Sequence, residues 1–467
     1  MIWRRFFHGA GPYNTDMPPG AANPDRNIFR APAAIFWTAF LLRVAYITLA
    51  HTYRITPFNH HFEFGCETGR VAASLAGGHG YASPFGGETG PTAWMVPGFG
   101  LLLAGVFKVF GIYSSLSAWV ILTVNSLFQA LTAPLVYEMG ARFAGRRNAL
   151  WAAWIWALYP GIVQYGVRWI GEMSLATMLF AAVIVLGMRM RGLGETPPAR
   201  HHLRNWLGFG VLWGAISMIY PTLLLMAPVQ GLWILAGLPG RSNWLRGLML
   251  AIFSAVVCAA VATPWVIRNQ LVFHAFIPSR DNLGAEVAIA WSPESMGFPW
   301  GATVPTYESA PEHQLYARMG ELAYVRMRGQ LARQWAHQCP GYFWKSVALR
   351  IYMFWASVPH TASKHTAAEA FRAGAYCFGS VASLMGLLVA WRRRLRAAGL
   401  FAWAVALIPL IYYFVTVGSR FRNPLEPILI VLAVYLFQQA QLGWGFTLPG
   451  LRRLWPARPK CIISGSN

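Results

Sequence analysis

Residues 116–138 read LSAWVILTVNSLFQALTAPLVYE, residues 139–147 read MGARFAGRR, and residues 148–166 read NALWAAWIWALYPGIVQYG. A hydrocarbon core of about 30 Å needs roughly 20 apolar residues in a helix. Each apolar run here is long enough to serve, and the link between them carries Arg142, Arg146 and Arg147. Short basic links belong on the cytoplasmic side of a bilayer. Two spans joined by a cytoplasmic turn set the frame for the rest of the chain.

Further candidate spans lie near 33–50, 173–189, 206–220, 222–238, 248–266, 371–391, 398–417 and 424–442. The expected fold class is therefore an all-α polytopic membrane protein with about 10 transmembrane helices. Two short apolar stretches, 94–111 and 341–357, would raise the number to twelve on hydropathy alone. If either spanned, the later arginine clusters would change sides, so both are read as helices lying on the outer interface. The second holds Lys345 and Arg350, with Trp344 and Trp355 as interfacial anchors.

Composition agrees. The chain has 467 residues, 56% hydrophobic and only 12% charged, which leaves too few charges for a soluble surface. Five Cys are too few for a disulfide scaffold, and the apolar content rules out a disordered chain. The net charge of +22 follows the spans. Arg189, Arg191, Arg200, Arg204, Arg241, Arg246 and Arg392–Arg394 fall on the side of Arg142, while most acids fall on the other. Both termini are expected in the cytoplasm, with the first span a retained anchor. The basic balance then reads as topology and contact with membrane lipids, with no nucleic-acid partner. The expected organisation is a cytoplasmic segment 1–32, a transmembrane domain 33–442 and a cytoplasmic tail 443–467. Its two long outer loops are 51–115 and 268–372.

Candidate chemistry gathers in those loops. Glu63 and Glu67 are four residues apart and share a face if Glu63 begins a helix. A carboxylate there answers the helix dipole, or acts as a base towards a hydroxyl or amine. His60 and His61 next to them lack zinc spacing, so no cofactor is expected and a divalent metal is open but not favoured. Cys66 and Cys339 share the outer side and are open to pairing. Glu172 opens a span beside Arg168 and either pairs with it or works at the membrane face. Arg420 and Arg422, within GSRFRNPLEP (418–427), are read as standing on one side of an extended step before Pro424. Their forked guanidiniums suit a phosphate, or a lipid headgroup. Arg268 closes TPWVIRN (263–269) at the same surface, and residues 308–344 read as a helical lid.

In their order, these motifs resemble the GT-C class of integral-membrane glycosyltransferases. An acid in the first outer loop precedes Gly80–Tyr81 and a Pro91-Thr92-Ala93 stretch, a basic inner loop follows, then PWVIRN and RFRNPLEP. The relatives include dolichyl-phosphate-mannose–protein mannosyltransferases and bacterial lipid A aminoarabinose transferases. The resemblance implies a polyprenyl-phosphate sugar donor and a lipid, glycan or protein acceptor. It implies Glu63 as the acceptor base and Glu172 as a second acid in an inverting transfer, with Glu67, four residues from Glu63, a further catalytic candidate from its spacing. It also implies Arg268, Arg420 and Arg422 at the donor phosphate, and a bacterial inner membrane with a periplasmic site. Where relatives carry an acid after the first, Phe64 follows Glu63, which argues against a metal. The rival reading is a polytopic transporter or lipid flippase. Arg43, the one clear charge within a span, and the lack of an internal repeat weigh against it.

Overall fold

The computed structural model describes residues 31–55, 64–194, 202–238, 240–292, 305, 310–359 and 366–441. Among them the chain is all α, with one isolated bridge between Ala82 and Pro91 in place of any sheet. Helix α1 (Pro32–Leu49) starts on a proline, whose missing N–H would have had no partner there anyway. Two loop helices follow, α2 (Cys66–Ala76) and α3 (Pro97–Phe110). Helix α4 (Ser115–Ala144) is capped by Ser114, whose Oγ accepts from the Ser117 N–H at 3.0 Å. Gly145, at φ +88°, turns the chain into α5 (Arg146–Leu158).

The run expected as one span over 148–166 is two helices. Pro160 pushes Tyr159 into an extended conformation, so α5 stops and α6 (Pro160–Val167) begins at a new angle. Helices α7 (Met173–Met190) and α8 (Leu203–Ser217) come next. A 3-10 segment, Pro221–Leu225, leads into α9 (Met226–Leu235). Helix α10 (Arg241–Phe273) has 33 residues, about 50 Å of helix. The second long loop carries α11 (Leu283–Trp291), α12 (Ala310–Met319), α13 (Glu321–Gln338) and α14 (Pro340–Ala356). Helices α15 (Thr366–Arg392) and α16 (Ala398–Phe414) follow, then a 3-10 segment over Ser419–Leu425 and α17 (Glu426–Gln441).

Among the described residues five helices are long and apolar enough to cross a membrane: α1, α4, α7, α10 and residues 369–392 of α15. The other expected spans are shorter helices: 148–166 is cut at Pro160, 206–220 ends in α8 at Ser217, 222–238 opens with the 3-10 segment at Pro221, and 398–417 and 424–442 hold the 17-residue α16 and the 16-residue α17. The chain is a polytopic membrane protein, and the expected number of spans near ten comes from hydropathy together with the sorting of the arginines.

Its packing is that of helices in lipid, where small residues let backbones meet. A Cβ on Gly210 or Gly214 of α8 would run into Ser254 or Val261 of α10. One on Gly386 of α15 would stand 2.1 Å from the Leu432 carbonyl of α17. Helix α17 lies in the core, whereas α10 turns Met249, Ile252, Val256 and Leu271 outward. Arg43 is fully buried in α1 and donates to Ala39 O, Ala157 O and Gln129 Oε1 at 2.8–3.1 Å. Gln129 in turn donates to Ile162 O at 3.0 Å, so the polar knot is held by backbone rather than by a counter-charge.

The connections sort to two ends. At one, Glu138 holds Arg142 and Arg189, and Arg191 lies over Trp233 at 4.9 Å. At the other, Gly98 N donates to Met218 O, Asp281 N to Ala93 O, and Trp291 Nε1 to Phe414 O. The loops expected on one face therefore do lie together. The helical stretch expected as a lid is α12 and α13, broken at Gly320 (φ +75°), and it docks on the first loop through Phe85, Trp94, Tyr316 and Tyr324. Helix α14 packs along α16, with Arg350 buried and donating to Tyr413 O and Ala290 O.

Candidate active site

Gly65 (φ +92°) and Cys66 (φ +50°) are both left-handed, which turns the chain sharply into α2 and sets Glu67 in its first turn. A Cβ on Gly65 would come within 3.3 Å of the Ile170 carbonyl, so this turn lies on the link between α6 and α7. That link is fixed by Asn125 Nδ2, which donates to Trp169 O at 3.3 Å. Glu172 stands at the N-cap of α7, yet its carboxylate caps nothing. From the far end of the sequence, the 3-10 turn over Ser419–Leu425 brings Arg420 to the same place. The result is an open hollow lined by Cys66, Glu67, Tyr165, Trp169, Glu172 and Arg420, among others.

The charges in this hollow have few protein partners. Among the described residues neither Glu67 nor Glu172 forms a salt bridge, and the Arg420 guanidinium donates no hydrogen bond; it lies over the Phe421 ring at 5.1 Å. Burial pushes the Glu67 carboxyl above the usual carboxylate range, against the pull of its own backbone N–H and of Arg70 and Arg420. Burial and the neighbouring Glu67 push the Cys66 thiol up to about 12, so it stays a thiol at neutral pH. Such an arrangement can take a proton at Glu67 and hold an anion at Arg420.

The other expected site residues lie elsewhere. Glu63 is outside the described residues. Arg268 donates to Thr92 O at 2.7 Å and Tyr81 O at 2.8 Å, with Trp265 beneath it at 5.0 Å, so it staples the end of α10 to the first loop. Arg422 is 2% exposed; it pairs with Glu426 at 2.6 Å and donates to Ser380 Oγ at 2.5 Å and Trp355 O at 3.1 Å. The extended step expected around these two arginines is instead a 3-10 turn. At three residues per turn, positions i and i+2 diverge, so Arg420 faces the hollow and Arg422 the core. Arg168 donates to Tyr46 OH at 2.9 Å rather than pairing with Glu172. Cys66 and Cys339 are not joined by a disulfide. No group of three or more metal-ligating side chains occurs among the described residues.

Several charged groups near the hollow have no motif to announce them. Glu286 accepts from Thr416 Oγ1 at 2.8 Å and lies within electrostatic reach of Glu67. Glu321, 5% exposed, accepts from Thr92 Oγ1 at 2.5 Å, the Ala93 N–H at 2.5 Å and Tyr316 OH at 2.6 Å, with Asp281 against it. The only hint in sequence is that each is an acid amid apolar residues.

No family model matches the chain, and no curated protein matches it. Solved structures do. The chain is similar to the apo oligosaccharyltransferase of Archaeoglobus fulgidus at 13% identity and a TM-score of 0.52, over 90% of this chain and 52% of that one. The same enzyme tethered by a disulfide to an acceptor peptide containing the NVT sequon gives 14% identity and a TM-score of 0.50, over 89% and 50%. The chain thus spans about half the length of the solved structures it matches. At such identity the likeness shows the fold, and the fold is the one that the resemblance to the GT-C class implied.

Proposed function

We propose that the protein is a membrane glycosyltransferase that moves a sugar from a polyprenyl-phosphate donor to a lipid, glycan or protein acceptor. The observation that carries this is the hollow itself: two unpaired carboxylates and an unengaged guanidinium, at one end of a helix bundle with a glycosyltransferase fold. Arg420 meets the donor phosphate, and its forked N–H groups fit the phosphoryl oxygens. Arg268 and Arg422 act behind it, the one fixing the first loop and the other the turn that carries Arg420. As the bond from the anomeric carbon to the phosphate oxygen breaks, the electron pair leaves with the phosphate, and Arg420 stabilises the growing charge. The acceptor oxygen or nitrogen attacks from the opposite face and inverts the centre. Its proton passes to Glu67, whose raised affinity for a proton suits a general base. Glu172 orients the acceptor. With the arginine clusters inside, the hollow opens on the outer side, periplasmic if the membrane is a bacterial inner membrane.

The test is transfer from radiolabelled polyprenyl-phosphate sugars in membranes holding equal amounts of folded wild type, Glu63→Gln, Glu67→Gln and Glu172→Gln. Loss of transfer by orders of magnitude in Glu67→Gln supports the assignment. Loss confined to Glu63→Gln moves the base to Glu63. No transfer from any donor by the wild type counts against the function.

A further inference from the structure

We infer that Trp169 is the platform on which the transferred sugar lies, its indole face against the apolar C–H face of a pyranose ring; this rests on the function proposed above. The polar groups of the hollow account for the rest of such a donor: Arg420 for the phosphate, Glu67 and Glu172 for hydroxyls that donate to a carboxylate. A pyranose also has faces made of C–H bonds, and these call for apolar surface that no carboxylate or guanidinium supplies. The electron-rich face of an indole attracts such positively polarised C–H bonds.

The wall of the hollow has little other surface of this kind. Ile170 and Met173 belong to it but are only 3% and 4% exposed, so they offer a ligand almost nothing. Of its two aromatic side chains, Tyr165 also lines a second cleft with Tyr159 and Tyr376. Trp169 is half-buried and stands three residues before Glu172 in the same wall.

The indole has no partner within the protein. Among the described residues its N–H donates no hydrogen bond and its ring meets no other ring or guanidinium. Other indoles of the outer end are engaged: Trp265 Nε1 donates to Ser279 O at 2.5 Å, Trp291 Nε1 to Phe414 O at 2.8 Å and Trp355 Nε1 to Tyr413 OH at 2.9 Å. The backbone around Trp169 is, by contrast, pinned. Its carbonyl accepts from Asn125 Nδ2 at 3.3 Å, Arg168 before it donates to Tyr46 OH at 2.9 Å, and the Ile170 carbonyl after it backs onto Gly65. The ring is thus carried on a fixed main chain with its face and its N–H unused. A tryptophan at the end of a membrane helix commonly anchors it among lipid headgroups. This one instead shares a hollow with two carboxylates and a guanidinium.

Binding to the full chain in nanodiscs tests this without sugar transfer. The probes are a short polyprenyl monophosphate, bare and carrying glucose, mannose or N-acetylglucosamine. The wild type should bind at least one sugar-bearing lipid more tightly than the bare one. Ring contacts of this kind contribute roughly two- to tenfold in affinity. Trp169→Ala should lose that much for the sugar-bearing lipid and nothing for the bare phosphate. Trp169→Phe, which keeps a ring, should recover part of the loss at an unchanged melting temperature. Three results would overturn the inference and leave the proposed function standing: a wild type that gains nothing from any sugar, a Trp169→Ala loss equal for bare and sugar-bearing lipids, or no loss at all. Failure of the wild type to bind any of these lipids would overturn both.

Discussion

Replacing Asp281 with Asn should flatten the dependence of stability on pH. Asp281 lies against Glu321 in a buried junction between the two long loops, faced by Thr92, Tyr81, Tyr316 and, from α10, Arg268. Burial and then the charge of Glu321 push the Asp281 carboxyl up to about 8, from an ordinary value near 4. Between those values the folded chain holds a proton that the unfolded chain has released. The stabilisation is thus complete below about pH 4 and is lost as the pH rises towards 8. At up to about 1.4 kcal/mol per pH unit, the change from pH 5 to pH 7 removes roughly 2–3 kcal/mol, a few degrees in melting temperature. Thermal unfolding of the purified protein at pH 5, 6, 7 and 8, followed by tryptophan fluorescence, reads this directly. The wild type should melt lower at each step, and Asp281→Asn, which keeps the shape without the charge, should stay nearly level. Parallel curves for the two proteins would refute the assignment of this proton to Asp281.

Arg422→Gln should lower the melting temperature, because Glu426 is left buried without its partner at a cost of about 3 kcal/mol or more, whereas Arg420→Gln should leave it unchanged; a stable Arg422 variant would contradict this. Gly386→Ala should cost about 1–3 kcal/mol as α15 and α17 are forced apart, while Gly399→Ala, where an added Cβ meets nothing within 4 Å, should be neutral or slightly stabilising in the same melts. Maleimide at pH 7.5 should label the exposed Cys339 quickly and Cys66 slowly, since the Cys66 thiol is protonated there; mass spectrometry of the labelled peptides would show the order, and fast labelling of Cys66 would count against it.

Helix positions were the most readable part of the sequence. Runs such as 116–138 and 173–189 carry enough apolar length to declare a helix without help from their neighbours, and α4 and α7 sit where these runs do. Arg142 and Arg189 fall together because topology sorts charges by side, and a sequence displays that sorting openly. The helix break at Pro160 was visible as a residue but not as an event, since a proline inside an apolar run can also be absorbed, as Pro134 is within α4. Of the six expected site residues, Glu67, Glu172 and Arg420 meet in one hollow, while Arg268 and Arg422 are bound up in the surrounding frame. Two arginines one residue apart look alike on paper. Their difference depends on whether the turn between them is extended or 3-10, and that is set by packing against Trp355 and Ser380 rather than by the motif. Glu321 escaped notice for a related reason: its partner Thr92 is 229 positions away, and no local pattern records such a contact.

The bond between Thr92 and Glu321 also sets a clock. Its two ends are 229 residues apart in the chain. A ribosome adding roughly 5–20 residues per second needs on the order of ten to fifty seconds to bridge that interval. Throughout that time the first loop is already made, but the carboxylate that will fix it has not been translated. Arg420 comes later still. Nascent chains therefore carry Glu67 long before the hollow around it can exist, and a chain interrupted before the second long loop emerges would be inserted in the membrane with its first loop unsecured.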